Sequence, residues 1–567
     1  MTTAWSYWSS DIAKRLSELT GSTVEAGDIV VPPDAKLGDL AFGCFKLAKS
    51  MGKSPAEIAK DLASRLNTSH SDIASVSAAG PYVNILLSTG MAVHRVVRDI
   101  EVTKERYGSH NAEKKEQVVL EYAQVNTHKE IHVGHLRNLV LGLALDKTLT
   151  HAGFDCVPVT YHGDVGAHVA KCLWWMEKSK KPQEKTGKFL GQMYTESTRE
   201  LEAHPEDKEE VSEVQRKLES HEPALEKIWK ETRRWSIEEM KEIFDDLHLR
   251  ITHQYFESEV VDRGQEMVDA LIKQGIAKES QGAIIVDLED VKLGVSLVRK
   301  SDGTSLYATK DLALAEKKHA DYPNATRSLI LVDNRQRLYF QQLFETLKRM
   351  GVTITNEFIG YEFVTLKSGA MSSREGNIVT YQDFQKSVLD YARGEVIKRH
   401  ADWSEGKVAH VSWSIAMAGV KFGMLKQDSD KIFTFDLEQA LSFDGDTGPY
   451  CLYATTRLAS IIRKAGPQNP FDGALVDTFD HASEKALALT LATFPTRVAQ
   501  SAKELRPAVI AQWCLEASQA INAFYRDVPV LESEGALREG RIRLAMAARE
   551  ALVVGLGLLG ISVPDEM

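Results

Sequence analysis

Residues 118–137 read Val118-Val-Leu-Glu-Tyr-Ala-Gln-Val-Asn-Thr-His-Lys-Glu-Ile-His-Val-Gly-His-Leu-Arg137. An apolar run gives way to a polar stretch, which runs into a helical apolar pattern lasting to Leu149. The spacing predicts a strand, a loop and a helix, with His132-Val-Gly-His135 at the helix start. A helix N-terminus offers unpaired N–H groups and the positive end of a dipole, which suits a nucleotide phosphate. Gly134 permits close approach of backbone or base. Two imidazoles can donate to phosphate oxygens as charge builds on them. Taken alone, two histidines three apart are equally well explained as a surface loop or a metal pair. A zinc site needs further ligands of suitable type, and none stands nearby, so no structural metal is expected.

Outward from this stretch, the 567 residues suggest roughly three to four domains at ~150 residues each. Hydrophobic content of 43% and charged content of 26% are ordinary for a soluble globular protein. No run of 18 or more apolar residues suggests a membrane span, and the first residues lack the basic start and apolar core of a secretory signal. Five scattered cysteines, none in a CxxC pair, predict buried free thiols in a reducing compartment, the cytoplasm. A net charge of −11 argues against a globally electrostatic nucleic-acid binder but leaves room for a local basic surface.

Residues 1–112 read as an α+β module. In it, Ser54-Pro55 opens an amphipathic helix to Leu66, and Gly80-Pro-Tyr begins a turn and strand. Within a domain at 113–434, residues from about 117 to 380 alternate strand and helix patterns, as expected of a Rossmann-like parallel sheet. Candidate strands are Gln117–Tyr122, Asp155–Thr160, Gly282–Leu288, Arg327–Val332 and Glu357–Phe363. A charged segment at 177–249 reads as a helical insertion with a solvated face and no chemistry of its own. Residues 435–567 are almost wholly helical and long enough for a bundle with its own core. The fold class is therefore α/β, with an N-terminal α+β module and a C-terminal all-α bundle.

A second signal lies downstream, Gly369-Ala-Met-Ser-Ser-Arg-Glu-Gly-Asn377. Small, hydroxyl and basic residues before a Gly-Asn turn suit a loop that reaches over phosphates. The pairing of this segment with His132–His135 resembles the HIGH and KMSKS signatures of class I aminoacyl-tRNA synthetases. The run Asn126-Thr-His-Lys-Glu-Ile-His-Val-Gly-His-Leu-Arg137 is similar to the arginyl-tRNA synthetase form, and Tyr161-His-Gly-Asp-Val-Gly166 resembles that family's YxGDxG. Further likenesses are Ser305-Leu-Tyr-Ala-Thr-Lys-Asp-Leu-Ala313, Asp333-Asn-Arg-Gln-Arg-Leu-Tyr-Phe340, Phe443–Ala454 and the ending Leu558–Met567.

The resemblance implies activation of L-arginine by ATP, bound as its Mg2+ complex, then esterification of the 3′ end of tRNA(Arg) by a monomer. It implies that His132 and His135 hydrogen-bond the α-phosphate, with Gly134 and Met371 also in the ATP site. The first and later lysines of KMSKS are absent: Ala370 and Arg374 stand there. Family members with this departure imply that Lys129 compensates, with Arg374 the runner-up; Arg is not equivalent to Lys as a phosphate partner. Ser372 and Ser373 would bond phosphates. Asp311 and Glu121 would hold the guanidinium, Tyr307 would share that pocket or cover it, and Asn126 and Gln336 would hold the α-amino and carboxylate groups or order the carboxylates. Tyr450, Tyr453 and Arg457 would contact tRNA, since unpaired loops are commonly read by stacking, although core packing explains the two tyrosines as well. The N-terminal module would touch the tRNA elbow, and the bundle would bind the anticodon. Val125 in place of Pro, Lys310 in place of Arg, and His162 and Val165 depart from the family pattern. Other readings are another class I synthetase such as the cysteine enzyme, a small-molecule nucleotidyltransferase, or a noncatalytic RNA-binding relative.

Overall fold

The computed structural model describes residues 3–66, 72–110, 115–181, 184–301, 307–367, 379–467, 479 and 481–567. The predicted helix after Ser54 spans Pro55–Arg65, and its start is a capping box in which the Ser54 hydroxyl and the Glu57 carboxylate each bond the other's backbone N–H. It lies in an N-terminal module whose four strands form an antiparallel sheet in the order Ile29–Val30, Leu40–Gly43, Tyr82–Leu87, Ile73–Ala79.

At the centre lies a five-stranded parallel sheet. Its order is Thr355–Tyr361, Ala325–Asp333, Gln117–Glu121, Asp155–His162, His253–Phe256. The apolar run 118–120 is buried because a central parallel strand is covered on both faces. From Gln117–Glu121 the chain first builds towards one edge and later returns to build towards the other. The strand order therefore reverses between Gln117–Glu121 and Ala325–Asp333, and such a reversal opens a crevice at the carboxyl ends of the strands. Glu121 stands at that end, level with Ile330 on one side and Val159 on the other.

Two sheet assignments change. The expected strand at Gly282–Leu288 forms as Ala283–Asp287, but it pairs antiparallel with Ala277–Ser280 and Val295–Arg299 in a separate three-stranded sheet. An apolar run of five has the same local signal in either setting; pairing partners decide. The fifth parallel strand is instead His253–Phe256, four residues with little apolar signal.

The charged segment folds as the helices Gly187–Ala203, Lys208–Glu219 and Pro223–Leu247. Beyond it, the helices from Gly448–Ala465 to Gly535–Leu558 pack around Trp513, Phe494 and Leu552, which are fully buried. The Glu405–Leu425 helix is long and apolar enough to cross a membrane, yet 83% of that stretch is buried inside the protein. All five cysteines are buried free thiols.

Candidate active site

His132 is the N-cap of the Val133–His151 helix. Its Nδ1 accepts the Gly134 N–H at 3.0 Å, and the His135 Nδ1 accepts the His132 N–H at 3.2 Å. Both δ nitrogens are thus committed as acceptors, which assigns the proton of each neutral ring to Nε2. The rings lie 3.8 Å apart, tilted by 33°. Burial, reinforced by the nearby Lys129 charge, pushes the His132 pKa down to about 4; burial together with His132 and Lys129 takes His135 to about 3. The pair is therefore neutral at pH 7 and offers two N–H donors. A Cβ at position 134 would stand 2.7 Å from the His132 ring, so glycine is required for the ring to fold over its own cap.

The loop before the motif is held by the helical insertion. His128 is buried with a positive φ of 59°. Its N–H donates to the Ser236 hydroxyl at 2.9 Å, and its Nε2 lies 2.8 Å from the Thr232 hydroxyl. Both partners belong to the Pro223–Leu247 helix. Arg233 of that helix pairs with buried Asp164 of the Tyr161–Gly166 motif at 2.7 Å, and Asp164 also accepts from the Ser258 N–H and hydroxyl. The expectation of a merely solvated insertion is thereby corrected: one face of this helix fixes the loop carrying Asn126 and Lys129. Lys129 itself lies 4.6 Å from the ring of Tyr194, on the Gly187–Ala203 helix.

The crevice at the strand-order reversal contains a cavity of about 190 Å³ lined by Glu121, Asn126, Tyr161, Glu257, Tyr307, Asp311, Lys318 and Gln336, among others. All five residues assigned to arginine on resemblance therefore meet in one cavity. Tyr307, 70% exposed, and Gln336 stand at its rim. Asp311 is deep, and the Tyr339 hydroxyl donates to it. Burial raises the Asp311 pKa to about 7; the tyrosine bond opposes this, while Glu121 and Glu257 add to it. Burial likewise raises Glu257, which pairs with Lys310 at 2.6 Å. Glu121 pairs with Lys318 at 2.7 Å. The buried Tyr161 hydroxyl has no hydrogen-bond partner among the described residues. Asn126 approaches Gly163 so closely that a Cβ there would meet its Oδ1 at 2.2 Å. Three carboxylates face two lysines, so the cavity has one negative charge in excess when all are ionised. Glu257, Lys318, Tyr339 and Tyr161 carry no local sequence signal for this role; only Tyr161 and Tyr339 lie within quoted motifs.

Ala370, Met371, Ser372, Ser373 and Arg374 lie outside the described residues. Arg457 and Tyr453 stand together on the helical bundle, far along the chain from the cavity. The Arg457 guanidinium lies 4.3 Å from the Tyr453 ring and 5.1 Å from that of Tyr525, a residue not singled out in the sequence. Tyr450 packs partly against the core instead.

This sheet, its crevice and the capped histidine pair agree with the match of residues 96–437 to the family model for the catalytic domain of class I (R) tRNA synthetases. The chain thus contains a class I aminoacyl-tRNA synthetase catalytic domain. Residues 6–87 match the arginyl-tRNA synthetase N-terminal domain, and residues 451–567 match the DALR anticodon binding domain. The chain belongs to the arginyl-tRNA synthetase family. It is 37% identical to an arginine–tRNA ligase of Bdellovibrio bacteriovorus over 95% of this chain and 94% of the relative. It is 31% identical to the arginine–tRNA ligase of Clostridioides difficile, covering 99% of both chains. The solved arginyl-tRNA synthetase of Thermus thermophilus superposes with a TM-score of 0.82 at 26% identity, covering 100% of both chains.

Proposed function

We infer that this chain is an arginine–tRNA ligase that activates L-arginine with ATP and esterifies the 3′ end of tRNA(Arg). The observation that carries the reading is the cavity in which Glu121, Glu257 and Asp311 face Lys318 and Lys310, in a chain whose motif histidines form a neutral pair at a helix N-terminus. A guanidinium is a permanent cation with donors in a fork that matches carboxylates. Asp311 and Glu121 receive it, and Asn126 and Gln336 hold the α-amino and carboxylate groups at the rim.

In the first half-reaction an oxygen of the arginine carboxylate attacks the ATP α-phosphorus. The bond to the bridging oxygen of pyrophosphate breaks in line, giving arginyl-adenylate and diphosphate. This step needs positioning and charge stabilisation more than covalent catalysis. The His132 and His135 Nε2–H groups donate to the α-phosphate as its charge develops, and Lys129 supplies a compact cation to the phosphates. Ser372, Ser373 and Arg374 are given phosphate contacts on the likeness of their segment to KMSKS alone. Mg2+ enters with ATP as its substrate complex. In the second half-reaction a ribose hydroxyl of the terminal tRNA nucleotide attacks the activated carbonyl, and AMP leaves. The N-terminal module contacts the tRNA elbow, and the helical bundle reads the anticodon with Tyr453 and Arg457. The protein works in the cytoplasm as a monomer.

The test is tRNA esterification with each amino acid in turn. Charging should occur with arginine alone; charging with another amino acid in its place would overturn the reading.

A further inference from the structure

We propose that Lys318 is a specificity-determining residue of the arginine pocket, one that occupies an oxygen of Glu121 and closes the inner end of the cavity. The inference rests on the assignment of that cavity to arginine.

Asp311 and Lys318 are seven residues apart on the Tyr307–Asp321 helix. Seven residues make almost two turns, so both side chains project from the same face, separated by about 10 Å along the axis. Both line the cavity. Glu121 reaches the same cavity from the central strand, and its Oε2 is taken by the Lys318 ammonium at 2.7 Å, with both side chains 5% exposed. Among the described residues, its Oε1 has only a long 3.3 Å bond from the Gln124 amide. One Glu121 oxygen is thus closed off on the inner side, while the other remains weakly held and available to a substrate donor.

Charge and depth follow from this arrangement. Without Lys318, Glu121 would be a second unmatched carboxylate beside Asp311, and like charges in a shared buried site oppose each other's ionisation. Lys318 therefore matches the charge of Glu121 and leaves a single cation's worth of charge for the substrate. Its stem and ammonium also fix how far an amino-acid side chain can enter. A buried ion pair seldom adds net stability over apolar side chains of like volume, so fold stability is a weak reason for a lysine at this place. A lysine that sets the charge and length of the ligand is a specific one.

The experiment compares Lys318→Ala, Lys318→Met and Lys318→Arg in steady-state charging of tRNA, with arginine and with homoarginine, which is one methylene longer. One methylene in a fitted pocket is worth roughly 10–200-fold in kcat/KM. Lys318→Ala should shift the arginine-over-homoarginine preference by ~10-fold or more toward homoarginine and raise the arginine KM by a similar factor, with the ATP KM unchanged. Lys318→Met, which keeps the stem and loses the charge, should raise the arginine KM without moving the preference as far. Lys318→Arg should recover much of the arginine KM. A folded Lys318→Ala protein with an unaltered preference would overturn the proposal, as would a rise in arginine KM matched by an equal rise in ATP KM. If Lys318→Ala does not fold, an unchanged arginine KM in Lys318→Met overturns it instead. Asp311→Ala separates the two levels. Unchanged arginine KM in that variant would sink the pocket assignment and this proposal with it. A raised arginine KM alongside an unmoved Lys318→Ala preference would sink the Lys318 proposal alone.

Discussion

His132 and His135 each spend one ring nitrogen on the backbone of a single helix cap, and their rings lie 3.8 Å apart with the other nitrogens left as donors. Two charged imidazoles at this spacing would repel each other and the positive helix end. Burial and Lys129 instead keep them neutral. Replacing either histidine by alanine should lower kcat of adenylation by ~10²–10³-fold, with the arginine KM nearly constant. Pyrophosphate exchange measured with tRNA present checks this. A variant at wild-type rate would remove that histidine from the phosphate site.

The neutrality of the pair also has a pH signature. Both histidines have folded pKa values below the unfolded value of about 6.5, so between about pH 6.5 and 4 the unfolded chain binds more protons. Their neutral state stabilises the fold fully above that window, and the stability falls as pH drops through it. Acid denaturation curves should therefore be shallower for a His132→Gln, His135→Gln double variant than for the parent chain. Equal slopes would show that other groups dominate the window.

Much of this half of the site is legible in sequence because it is local. A cap histidine, a glycine two residues on and a second histidine three on fall within a single helical turn. The guanidinium pocket is different. Lys318 is 197 positions from Glu121, and Lys310 is 53 from Glu257. Such pairs are set by how the Tyr307–Asp321 helix lies across the strand ends, which no local pattern records. The Ala283–Asp287 strand was legible as a strand but not as antiparallel, because an apolar run is silent about its partners. His253–Phe256 was not legible at all: four residues with two polar side chains become a strand only because the neighbouring Asp155–His162 edge is open to them.

Asp311 gives a second pH dependence, of opposite sign. Its folded pKa of about 7 is raised above the unfolded value of about 3.9. The folded state therefore binds more protons between those values, and ionising the carboxylate without a substrate cation costs stability as pH rises through 7. Asp311→Asn should raise the melting temperature of the ligand-free protein at pH 8 but leave it nearly unchanged at pH 4. Arginine should stabilise the parent chain strongly at pH 8 and the variant little. Equal stabilisation of both by arginine would place the guanidinium elsewhere.

The insertion helix should act on rate through the loop that it holds. His128 bonds Ser236 and Thr232, and each buried bond lost leaves a partner unsatisfied at about 1–3 kcal/mol. Thr232→Val with Ser236→Ala should therefore destabilise the fold by that order and reduce kcat by misplacing Lys129. Tyr194→Ala should spare stability but weaken the placement of the Lys129 ammonium, raising the ATP KM several-fold. Thermal melts and steady-state kinetics on the two variants separate these effects. A Tyr194→Ala enzyme with an unaltered ATP KM would mean that the tyrosine ring does not guide the lysine.

Arg457 between Tyr453 and Tyr525 supplies a prediction for the distant end of the molecule. A guanidinium held over two partly exposed rings keeps a planar cation at the surface, and the Asn522 side-chain oxygen accepts from it at 2.5 Å. Exposed aromatic rings and a fixed cation suit an unpaired RNA loop, where each base–aromatic stack is worth ~1–3 kcal/mol. Tyr453→Ala and Arg457→Ala should each raise the KM for tRNA by ~5–100-fold while leaving the KM values for arginine and ATP within about twofold. The effect should also weaken with added salt for Arg457→Ala more than for Tyr453→Ala, because only the former removes a positive charge. Unaltered tRNA KM in both variants would reduce the cluster to surface packing. A matching rise in arginine KM would mean that the substitutions had disturbed the catalytic domain rather than tRNA contact.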